Sequence, residues 1–342
     1  MENKKATIVD VARMAGVSVA TVSRVVNGNY PVRPSTRSRV QAAIEALEYV
    51  PNVQARELNT RHSSTIGVVV PGLYNMFFAE VAGGIEQALR GANFSMLLSC
   101  AQSDPRQEMH CIDDLIGRNV SGVIVISPNT AGIREDFYER LAQRLPVVFV
   151  NSYSAVDGIS YVGNDERAGA RMALEHLWQL GHRRIMLVRG EHSDSYTVKE
   201  EAYRSFMQEH DAFEERLIID IGEGNGENTV LHTAEQLVGV LAETQPTALL
   251  CCNDLMAVGA MNACHHLQLS IPRDISIVGY DNIALASYIE PQLTTMDQNM
   301  HRLGAEAAGV LIEHIHGGKA RQVILPNHLI ERASTGQVPQ EL

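Results

Sequence analysis

Two hydrophobic periodicities divide the chain near residue 63. Up to that point apolar residues recur every three or four positions, which indicates amphipathic helices. Beyond it, short runs that are almost wholly apolar alternate with amphipathic stretches, as expected of parallel strands covered by helices on both faces. The 342-residue chain is therefore predicted to contain a small helical domain followed by a larger α/β domain.

The first two helices are predicted within residues 7–27, TIVDVARMAGVSVATVSRVVN. The apolar stripe of the first helix consists of Ile8, Val11, Ala12 and Ala15. Gly16 can end this helix, because glycine turns out of a helix without a Cβ clash. Ser18 is a natural N-cap for the second helix. Two short helices around a glycine-containing turn are typical of a helix-turn-helix, although an ordinary helical hairpin shares the pattern.

A third helix is predicted to open near Thr36 and to run through SRVQAAIEALEYV. Its apolar positions recur at helical spacing, so they can close a three-helix core against the first two helices. These positions are Val40, Ala43, Ile44 and Leu47.

The rest of the chain contains two successive series of predicted strands. The strands are residues 66–70, 94–99, 123–126 and 147–150, and then 185–188, 217–221, 248–252 and 275–280. Helices in the first series are expected around Phe78–Leu89, Gln107–Arg118 and Arg134–Arg144. Two similar series predict two similar α/β lobes with a boundary near residue 161. A final helix and strand, at roughly 300–325, are expected to return across that boundary.

Charge changes sign at the same place as the periodicity. Residues 1–63 contain nine Lys and Arg against five Asp and Glu, a net charge of +4. The whole chain carries −12, so the remainder carries −16. Because DNA phosphates repel an acidic surface, only the N-terminal segment is electrostatically suited to bind DNA.

The composition is typical of a soluble globular protein, with 45% hydrophobic and 20% charged residues. No apolar run reaches the ~18 residues of a membrane span, and the N-terminus lacks an apolar signal segment. The five cysteines include no CxxC pair, which fits reduced thiols. We therefore expect a cytoplasmic protein.

Two features that superficially resemble catalytic or metal sites do not qualify. GEGNGE (222–227) lacks a following GK[ST], and Glu223 and Glu227 would repel phosphate, so a solvated surface loop is expected. Of the histidines, the pair His265–His266 points apart on a helix, and the run at 314–316 has no converging thiol or carboxylate set. Neither a GxSxG elbow nor a kinase motif set occurs. We expect no metal site, no cofactor and no enzyme activity.

The N-terminal motif resembles one known family. DVARMAGVSVATVSRVVNG, followed by STRSRV, YVPN and ARELN, is similar to the lactose/galactose repressor (LacI/GalR) family of bacterial transcription regulators. The resemblance covers about residues 6–335 and is far more specific in the N-terminal domain than elsewhere. It implies an N-terminal three-helix helix-turn-helix headpiece plus a hinge helix, then an α/β periplasmic-binding-protein-like core of two parallel-sheet lobes. The implied boundaries are headpiece 1–50, hinge helix or linker 51–63, core 64–335 and C-terminal tail 336–342. Within the core, the first lobe is about 64–161, the second lobe about 162–291, and the crossover and return segments about 292–330.

The resemblance implies that the second helix lies in the major groove of DNA. Val19 and Ala20 occupy base-discriminating positions, where small apolar side chains can contact a thymine methyl group. Arg24 suits guanine, because its two parallel donors match O6 and N7, although a phosphate contact is the alternative. The other predicted DNA-contacting residues, most of them expected to position the helix, are Thr7, Ser18, Thr21, Ser23, Asn27, Thr36 and Arg37.

Residues 52–60, NVQARELNT, match the family's hinge helix, which folds in pairs on the operator and inserts a leucine into the minor groove. Leu58 stands at that position, and an apolar wedge kinks DNA where unstacking is easy. Ala55 shares a face with Leu58, Arg56 can reach a phosphate, and Asn52 is a further predicted contact. The alternative is a plain linker.

Polar residues after the predicted strands are candidates for binding a small molecule, because ligands of open α/β sheets bind beyond the carboxyl ends of the strands. By resemblance, the CND and GYDN motifs point to Asn253 and Asp281 as contacts of effector hydroxyls. The alternative is that such Asn and Asp residues cap the next helix; Asp254, which directly precedes LMAVGAM, is expected to be that cap. The other predicted effector contacts are Tyr74, Asn75, Phe78, Asn151 and, after the LTTM strand, Gln298. An aromatic ring near Tyr74 can stack on a sugar or base, but such a residue at a helix start is at least as often part of the core.

One segment departs from the family pattern. Family members commonly carry an arginine three positions before a glycine–aromatic pair, whereas Glu200 and Tyr203 stand at the arginine and the glycine here. Three explanations stay open: Lys199 substitutes for the arginine, the alignment slips, or the effector lacks the usual group. A cleft containing Glu200 and Asp281 would favour an amino-bearing or cationic ligand.

The resemblance implies a sequence-specific transcriptional regulator, chiefly of the repressor type, that binds a pseudo-palindromic DNA operator as a homodimer. A sugar or related metabolite in the cleft between the lobes would control its DNA affinity. The absence of C-terminal leucine heptads favours a dimer over a tetramer. Two alternatives are a solute-binding protein of a transporter, which the basic headpiece opposes, and a family member controlled chiefly by a partner protein.

Overall fold

The structure is a computed structural model that describes residues 6–27, 30–50, 63–130, 132–191 and 193–338, with the backbone alone at Asn27 and Glu135. The chain forms two compact units, residues 1–63 and 64–342. None of the described helices is long and apolar enough to cross a membrane. The predicted hinge contacts, together with the tail from residue 339, lie outside the described residues; these contacts are Asn52, Ala55, Arg56 and Leu58.

The first unit begins with the two helices predicted from its apolar stripe, α1 (Ile8–Ala15) and α2 (Val19–Asn27). Thr7 starts α1 through a reciprocal capping box with Asp10. Gly16 ends it in the left-handed conformation, at a φ of 63°. The prediction of a helix, a glycine turn and a second helix is therefore confirmed.

The third helix, α3 (Pro34–Ala46), begins two residues earlier and ends sooner than predicted. A proline at the first helical position suits the start, because its missing N–H needs no partner there. The helix ends where Glu48 adopts a left-handed φ of 47°. The buried core of this unit consists of Val11, Ala12, Ala15, Val22, Val25, Val40 and Ala43.

The second unit contains two six-stranded sheets of the same strand order. The first sheet consists of β1 (Thr65–Val70), β2 (Ser95–Cys100), β3 (Val123–Ile126), β4 (Val147–Val150), β5 (Ser160–Asn164) and β11 (Gln322–Leu325). The second sheet consists of β6 (Ile185–Arg189), β7 (Ile218–Asp220), β8 (Ala248–Cys251), β9 (Ser276–Asp281), β10 (Thr294–Asp297) and β12 (His328–Ile330). The orders are β11-β5-β4-β3-β1-β2 and β12-β10-β9-β8-β6-β7. Every pairing is parallel except that of β12 with β10.

All eight predicted strand runs are confirmed to within two residues, but β5 and β12 were not predicted. Only Val162 in β5 is a strongly apolar residue, so the SYVGN sequence has no continuous apolar run. The predicted lobe boundary near residue 161 falls inside this strand, so the first sheet continues to Asn164. The expected return of the chain is also observed, since β11 pairs with β5.

Helices cover both sheets. They are α4 (Met76–Gly91), α5 (Pro105–Gly117), α6 (Glu135–Ala142), α7 (Glu166–Gln179), α8 (Asp194–Glu209), α9 (Thr229–Thr244), α10 (Asp254–His266), α11 (Leu285–Tyr288) and α12 (Met300–Ile315). Helix α12 packs on α4 at two glycines: a Cβ atom would lie 2.0 Å from a backbone oxygen both at Gly84 and at Gly304. This close packing holds the returning α12 against the first lobe.

Three chain segments connect the lobes, and one buried side chain joins them. Asn164, at the end of β5, starts the first connection. Its Nδ2 donates to the carbonyl of Gln298 at 3.1 Å, in the second connection, and lies 3.5 Å from the carbonyl of Leu325, in the third. The connections therefore run side by side beneath the carboxyl ends of the strands, where the predicted effector contacts lie.

Candidate functional site

The outward face of α2 contains the three residues that were predicted to read bases. Val22 and Val25 are buried against the headpiece core, whereas Val19 is 41% exposed. Ala20 and Arg24 are exposed on the same side of the helix. The Arg24 guanidinium carbon lies 5.5 Å from the centroid of the Tyr30 ring. The three residues predicted to read bases are thus presented together to solvent.

The remaining headpiece residues have local roles as well as exposed positions. Ser18 accepts from the backbone N–H of Thr21 at 3.2 Å, and the two hydroxyls are 2.9 Å apart, so both help to start α2. The hydroxyl of Thr7 donates to Asp10 at 2.7 Å. The remaining positions are half-buried Ser23, half-buried Thr36, exposed Arg37 and Asn27, whose side chain lies outside the described part.

In the core, polar side chains at the carboxyl ends of both sheets enclose a small cavity of about 30 Å³, room for about one water molecule. Seven of the nine predicted effector contacts line it: Asn75, Phe78, Asn151, Lys199, Asn253, Asp281 and Gln298. The rule that ligand contacts follow parallel strands therefore brings most of the predicted residues together.

One hydrogen bond connects the lobes across this cavity, and a second connects them outside its lining. Asn75 caps α4 with its Oδ1 and donates from Nδ2 to Asn225 Oδ1 at 2.9 Å. The hydroxyl of Thr130 donates to Asp194 at 3.1 Å. Both acceptors belong to the second lobe and both donors to the first, so these bonds hold the lobes together around the cavity.

The roles predicted for Asn253 and Asp254 were partly wrong. Asn253, not Asp254, caps α10, because its Oδ1 accepts from the N–H of Met256 at 2.8 Å. Its Nδ2 still faces the cavity and donates to the carbonyl of Gly224 at 2.7 Å. The carboxylate of Asp254 is buried and accepts from the hydroxyl of Thr295 at 2.6 Å. Burial, followed by the charge of nearby Asp281, raises the pKa of Asp254 well above its ordinary value.

Asn151, Gln298 and Asp281 form a chain of buried hydrogen bonds at the cavity floor. Asn151 Nδ2 lies 3.5 Å from Gln298 Oε1, and Gln298 Nε2 donates to Asp281 Oδ1 at 2.6 Å. Asp281 adopts a φ of 116° at the end of β9. Burial raises its pKa to about 7, despite the opposing effect of Lys199. Its carboxylate is therefore poised between its two protonation states near neutral pH.

Lys199 provides the positive charge of the cavity. The side chain is buried, and its Nζ donates to Ser195 Oγ at 2.9 Å and to the carbonyl of Cys252 at 3.1 Å. It lies 3.7 Å from the buried carboxylate of Glu166 and 3.9 Å from the Tyr280 ring centroid. Of the three explanations for the missing family arginine, the geometry favours substitution by Lys199.

Glu200 and Tyr74, both predicted to contact the effector, are not among the residues that line this cavity. Glu200 does not line the cavity; it pairs with Arg189 and, at 2.7 Å, with Arg204. A helix turns by about 100° per residue, so neighbouring positions on α8 face different surroundings. The expected acidic pair of Glu200 with Asp281 therefore does not form. Tyr74 is 62% exposed and lies outside the cavity.

Several cavity residues were missed by the sequence analysis. The main ones are Glu166, Ser195, Tyr196 and Asn225. Glu166 comes just after β5 and follows the same strand-end rule, so recognising β5 would have found it. Asn225 belongs to GEGNGE, which was predicted to be a solvated loop. That prediction was partly wrong, because Gly224 is buried and Asn225 contacts the first lobe.

Comparisons with known proteins agree with this architecture. Residues 7–52 match the model of bacterial regulatory proteins of the lacI family, and residues 174–335 match that of a periplasmic binding protein-like domain. Catabolite control protein A of Priestia megaterium is 34% identical over 96% of this chain and 99% of its own. The transcriptional repressor PurR of Aliivibrio fischeri is 33% identical over 91% of this chain and 92% of its own.

A solved structure extends the similarity to the whole fold. The lac repressor dimer bound to operator and the anti-inducer ONPF superposes with a TM-score of 0.84 at 29% identity, covering 97% of this chain and 100% of that chain. These relatives are transcriptional regulators rather than enzymes. The chain therefore belongs to the lacI family of bacterial regulatory proteins and is a DNA-binding transcriptional regulator with a periplasmic-binding-protein-like, effector-binding core.

Proposed function

We propose that this regulator acts as a repressor that binds a pseudo-palindromic operator as a homodimer, under the control of a small molecule in the cleft. The observation that carries the DNA role is the exposed face of α2, where Arg24 is accompanied by Val19 and Ala20 without a described acidic partner. In this role Arg24 contacts a guanine edge and the two small side chains contact a thymine methyl group. Two such headpieces require a two-fold dimer to read a palindrome.

The cross-lobe hydrogen bonds support effector control. Asn75 and Asn225 line the cavity and bond across it, so a ligand that enters must exchange this bond for its own; Thr130 and Asp194 bond the lobes to each other outside the lining. If the two lobes exchange between an open and a closed arrangement, a ligand that binds one arrangement more tightly shifts the equilibrium towards it. Amide and carboxylate groups suit a polyhydroxyl ligand such as a sugar, and Lys199 adds a site for an anionic or strongly polar oxygen.

The DNA role is tested by selecting binding duplexes from a random pool and measuring affinities at several salt concentrations. Arg24→Ala should relax the preference at one base pair of each half-site, at a cost of about 1–3 kcal/mol. Arg37→Ala, a change at a phosphate-contacting position, should weaken all duplexes alike and reduce the salt slope by about 1. The matched control is Arg90→Ala, which removes an exposed arginine from the α/β unit. Equal specificity profiles for Arg24→Ala and the parent protein would contradict the assignment of Arg24.

Effector control is tested by a thermal-shift screen of sugars and nucleobases, because a cleft ligand stabilises the folded protein by mass action. Any ligand found is then titrated against the operator complex. Asn225→Ala should weaken its binding, whereas Asn228→Ala, an exposed position in the same loop that does not line the cavity, should not. A ligand that binds both variants equally does not use the cleft as proposed.

The proposed dimer is tested by sedimentation of the purified protein, and a stable tetramer would contradict it.

A further inference from the structure

A second and much larger cavity lies beside the lobe connections, apart from the cleft. Its volume is about 830 Å³, within the range of about 300–1,000 Å³ that is usual for small-molecule sites. The first lobe contributes residues 152–161 and part of β11. Arg167 and Val198, on α7 and α8, complete the opposite wall. A molecule bound here would therefore contact segments of both lobes.

Two buried side chains that line this cavity each hold an acceptor atom that lacks a hydrogen-bond donor. Asn164 is 3% exposed; its Nδ2 is bonded to backbone, and its Oδ1 has no partner among the described residues. Glu166 is also 3% exposed, and its Oε2 has no donor at good hydrogen-bond geometry; the hydroxyl of Tyr153, which also lines the cavity, is close to this carboxylate and likewise lacks a well-aligned partner among the described residues. The nearest cation, Lys199 Nζ, is 3.7 Å away and donates elsewhere. Buried acceptors without donors are costly, so both atoms favour a ligand that donates.

The charge around the cavity favours a cationic donor. Asp157, Asp165 and Glu166 line it, and no lysine does. The two arginines of the lining are already paired, Arg167 with Glu201 at 2.5 Å and Arg321 with Glu313 at 2.8 Å. Glu166 is shared with Lys199 at 3.7 Å, so Asp157 and Asp165 are the carboxylates in excess over the arginine charge that remains available.

Aromatic side chains complete the lining. Phe149, Tyr153 and Tyr161 all border the cavity, and of these Phe149 is buried with its ring packed on that of Tyr138. The face of an aromatic ring attracts an organic cation and also provides apolar surface for its carbon skeleton. An ammonium group buried here would have a carboxylate partner, which removes most of the cost of burying a charge.

We propose that this second cavity binds a small organic ammonium ion, such as a diamine or an amino sugar, with the ammonium group donating to Glu166 and Asn164. Glu166 also lines the cleft cavity and faces Lys199 there. A cation at Glu166 competes with Lys199 for the same carboxylate, so binding at the second cavity is coupled to the cleft. This inference rests on the lining of the second cavity and does not depend on which ligand binds in the cleft.

The test is isothermal titration calorimetry of the full-length protein with two ammonium probes and their neutral counterparts. The probes are 1,4-diaminobutane and glucosamine, and the counterparts are 1,4-butanediol and glucose. At least one ammonium probe should bind ten-fold more tightly than its neutral counterpart. Equal affinities within both pairs, or no binding of either ammonium probe, would overturn the proposal.

Two matched variants locate the binding. Val198→Trp fills the cavity from α8 and should abolish binding of the ammonium probe, whereas Thr197→Trp, at the exposed neighbouring position, should retain it. If Val198→Trp does not unfold cooperatively, Ile324→Trp fills the cavity from the opposite wall. Undiminished probe affinity in a folded cavity-filling variant would place the binding elsewhere and refute the assignment.

Discussion

The two faces of helix α8 place neighbouring residues of opposite charge in very different environments. On the inner face, Lys199 is buried beside Glu166 and bonds to a hydroxyl and a backbone carbonyl. On the other face, the Glu200 side chain is 15% exposed and lies between Arg189 and Arg204. The inner cation has one carboxylate partner in a low-dielectric cavity, whereas the outer carboxylate has two cationic partners near water. The charge of the inner face therefore lines the cleft cavity, and the charge of the outer face joins α8 to its own lobe.

The largest effect is expected from removing the inner charge. Lys199→Met leaves Glu166 buried without a cation, which should lower the free energy of unfolding by about 3–5 kcal/mol. Urea denaturation at pH 7.5 measures the change. The double variant Lys199→Met with Glu166→Gln removes both charges and should recover a substantial part of the loss. Strictly additive losses in the double variant would show that the two groups do not stabilise each other.

This contrast also shows how far the sequence could predict the site. The strand-end rule located Asn151, Asn253 and Asp281, because the carboxyl ends of parallel strands meet at one edge whatever the details of packing. It gave no means of choosing between Lys199 and Glu200. That choice depends on the rotation of α8 about its axis, which is set by which side chains pack under it.

The fold was more predictable than the site, for a similar reason. Apolar runs such as 123–126 and 147–150 coincide with β3 and β4, because strands covered on both faces must be apolar throughout. The β5 sequence escaped detection because it lies at a crossover between the lobes and contains only one strongly apolar residue, Val162. Asn225 escaped because its loop is polar in sequence and becomes partly buried only when the first lobe meets it.

An intermediate effect is expected from the titration of Asp281, also on the inner side. The folded protein holds its pKa at about 7, above the ordinary value of about 3.9. The folded state therefore binds more protons than the unfolded state between about pH 4 and pH 7, so the free energy of unfolding falls as pH rises through that window. The contribution is at most about 1.4 kcal/mol per pH unit.

Asp281→Asn removes this titration, together with the charge that helps to raise the pKa of Asp254. His182, buried between Thr247 and the carbonyl of Gly336, has a lowered pKa because burial disfavours its charged form. The contribution of His182 to the free energy of unfolding has the opposite sign and is lost as pH falls below about 6.5. This contribution is present in both the parent protein and the Asp281→Asn variant. Urea unfolding at pH 5, 6, 7 and 8 should show the parent gaining stability relative to Asp281→Asn as pH falls. A difference that does not vary with pH would contradict the raised pKa.

The smallest effect is expected on the outer face. Burial alone would raise the pKa of Glu200, but hydrogen bonds from Arg204 and Arg189 keep it below its ordinary value, so the carboxylate is ionised at neutral pH. Glu200→Gln keeps the shape and removes the charge. The partners have other carboxylates, Glu215 at 2.6 Å from Arg204 and Asp220 at 3.6 Å from Arg189. We therefore expect a loss of only about 1–2 kcal/mol in urea denaturation.

Glu200→Gln also tests whether the two faces of α8 differ in their effect on ligand affinity. Because Glu200 does not line the cleft cavity, Glu200→Gln should leave the affinity for a cleft ligand within two-fold of the parent value, whereas Lys199→Gln should weaken it at least ten-fold. Calorimetry with a ligand from the thermal-shift screen measures both. A large loss of affinity in Glu200→Gln would mean that α8 rotates or shifts when the ligand binds and brings its outer face to the cleft. Glu200, at the position where family members commonly carry arginine, would then contact the ligand. Lys199 would in that case serve only as the structural partner of Glu166.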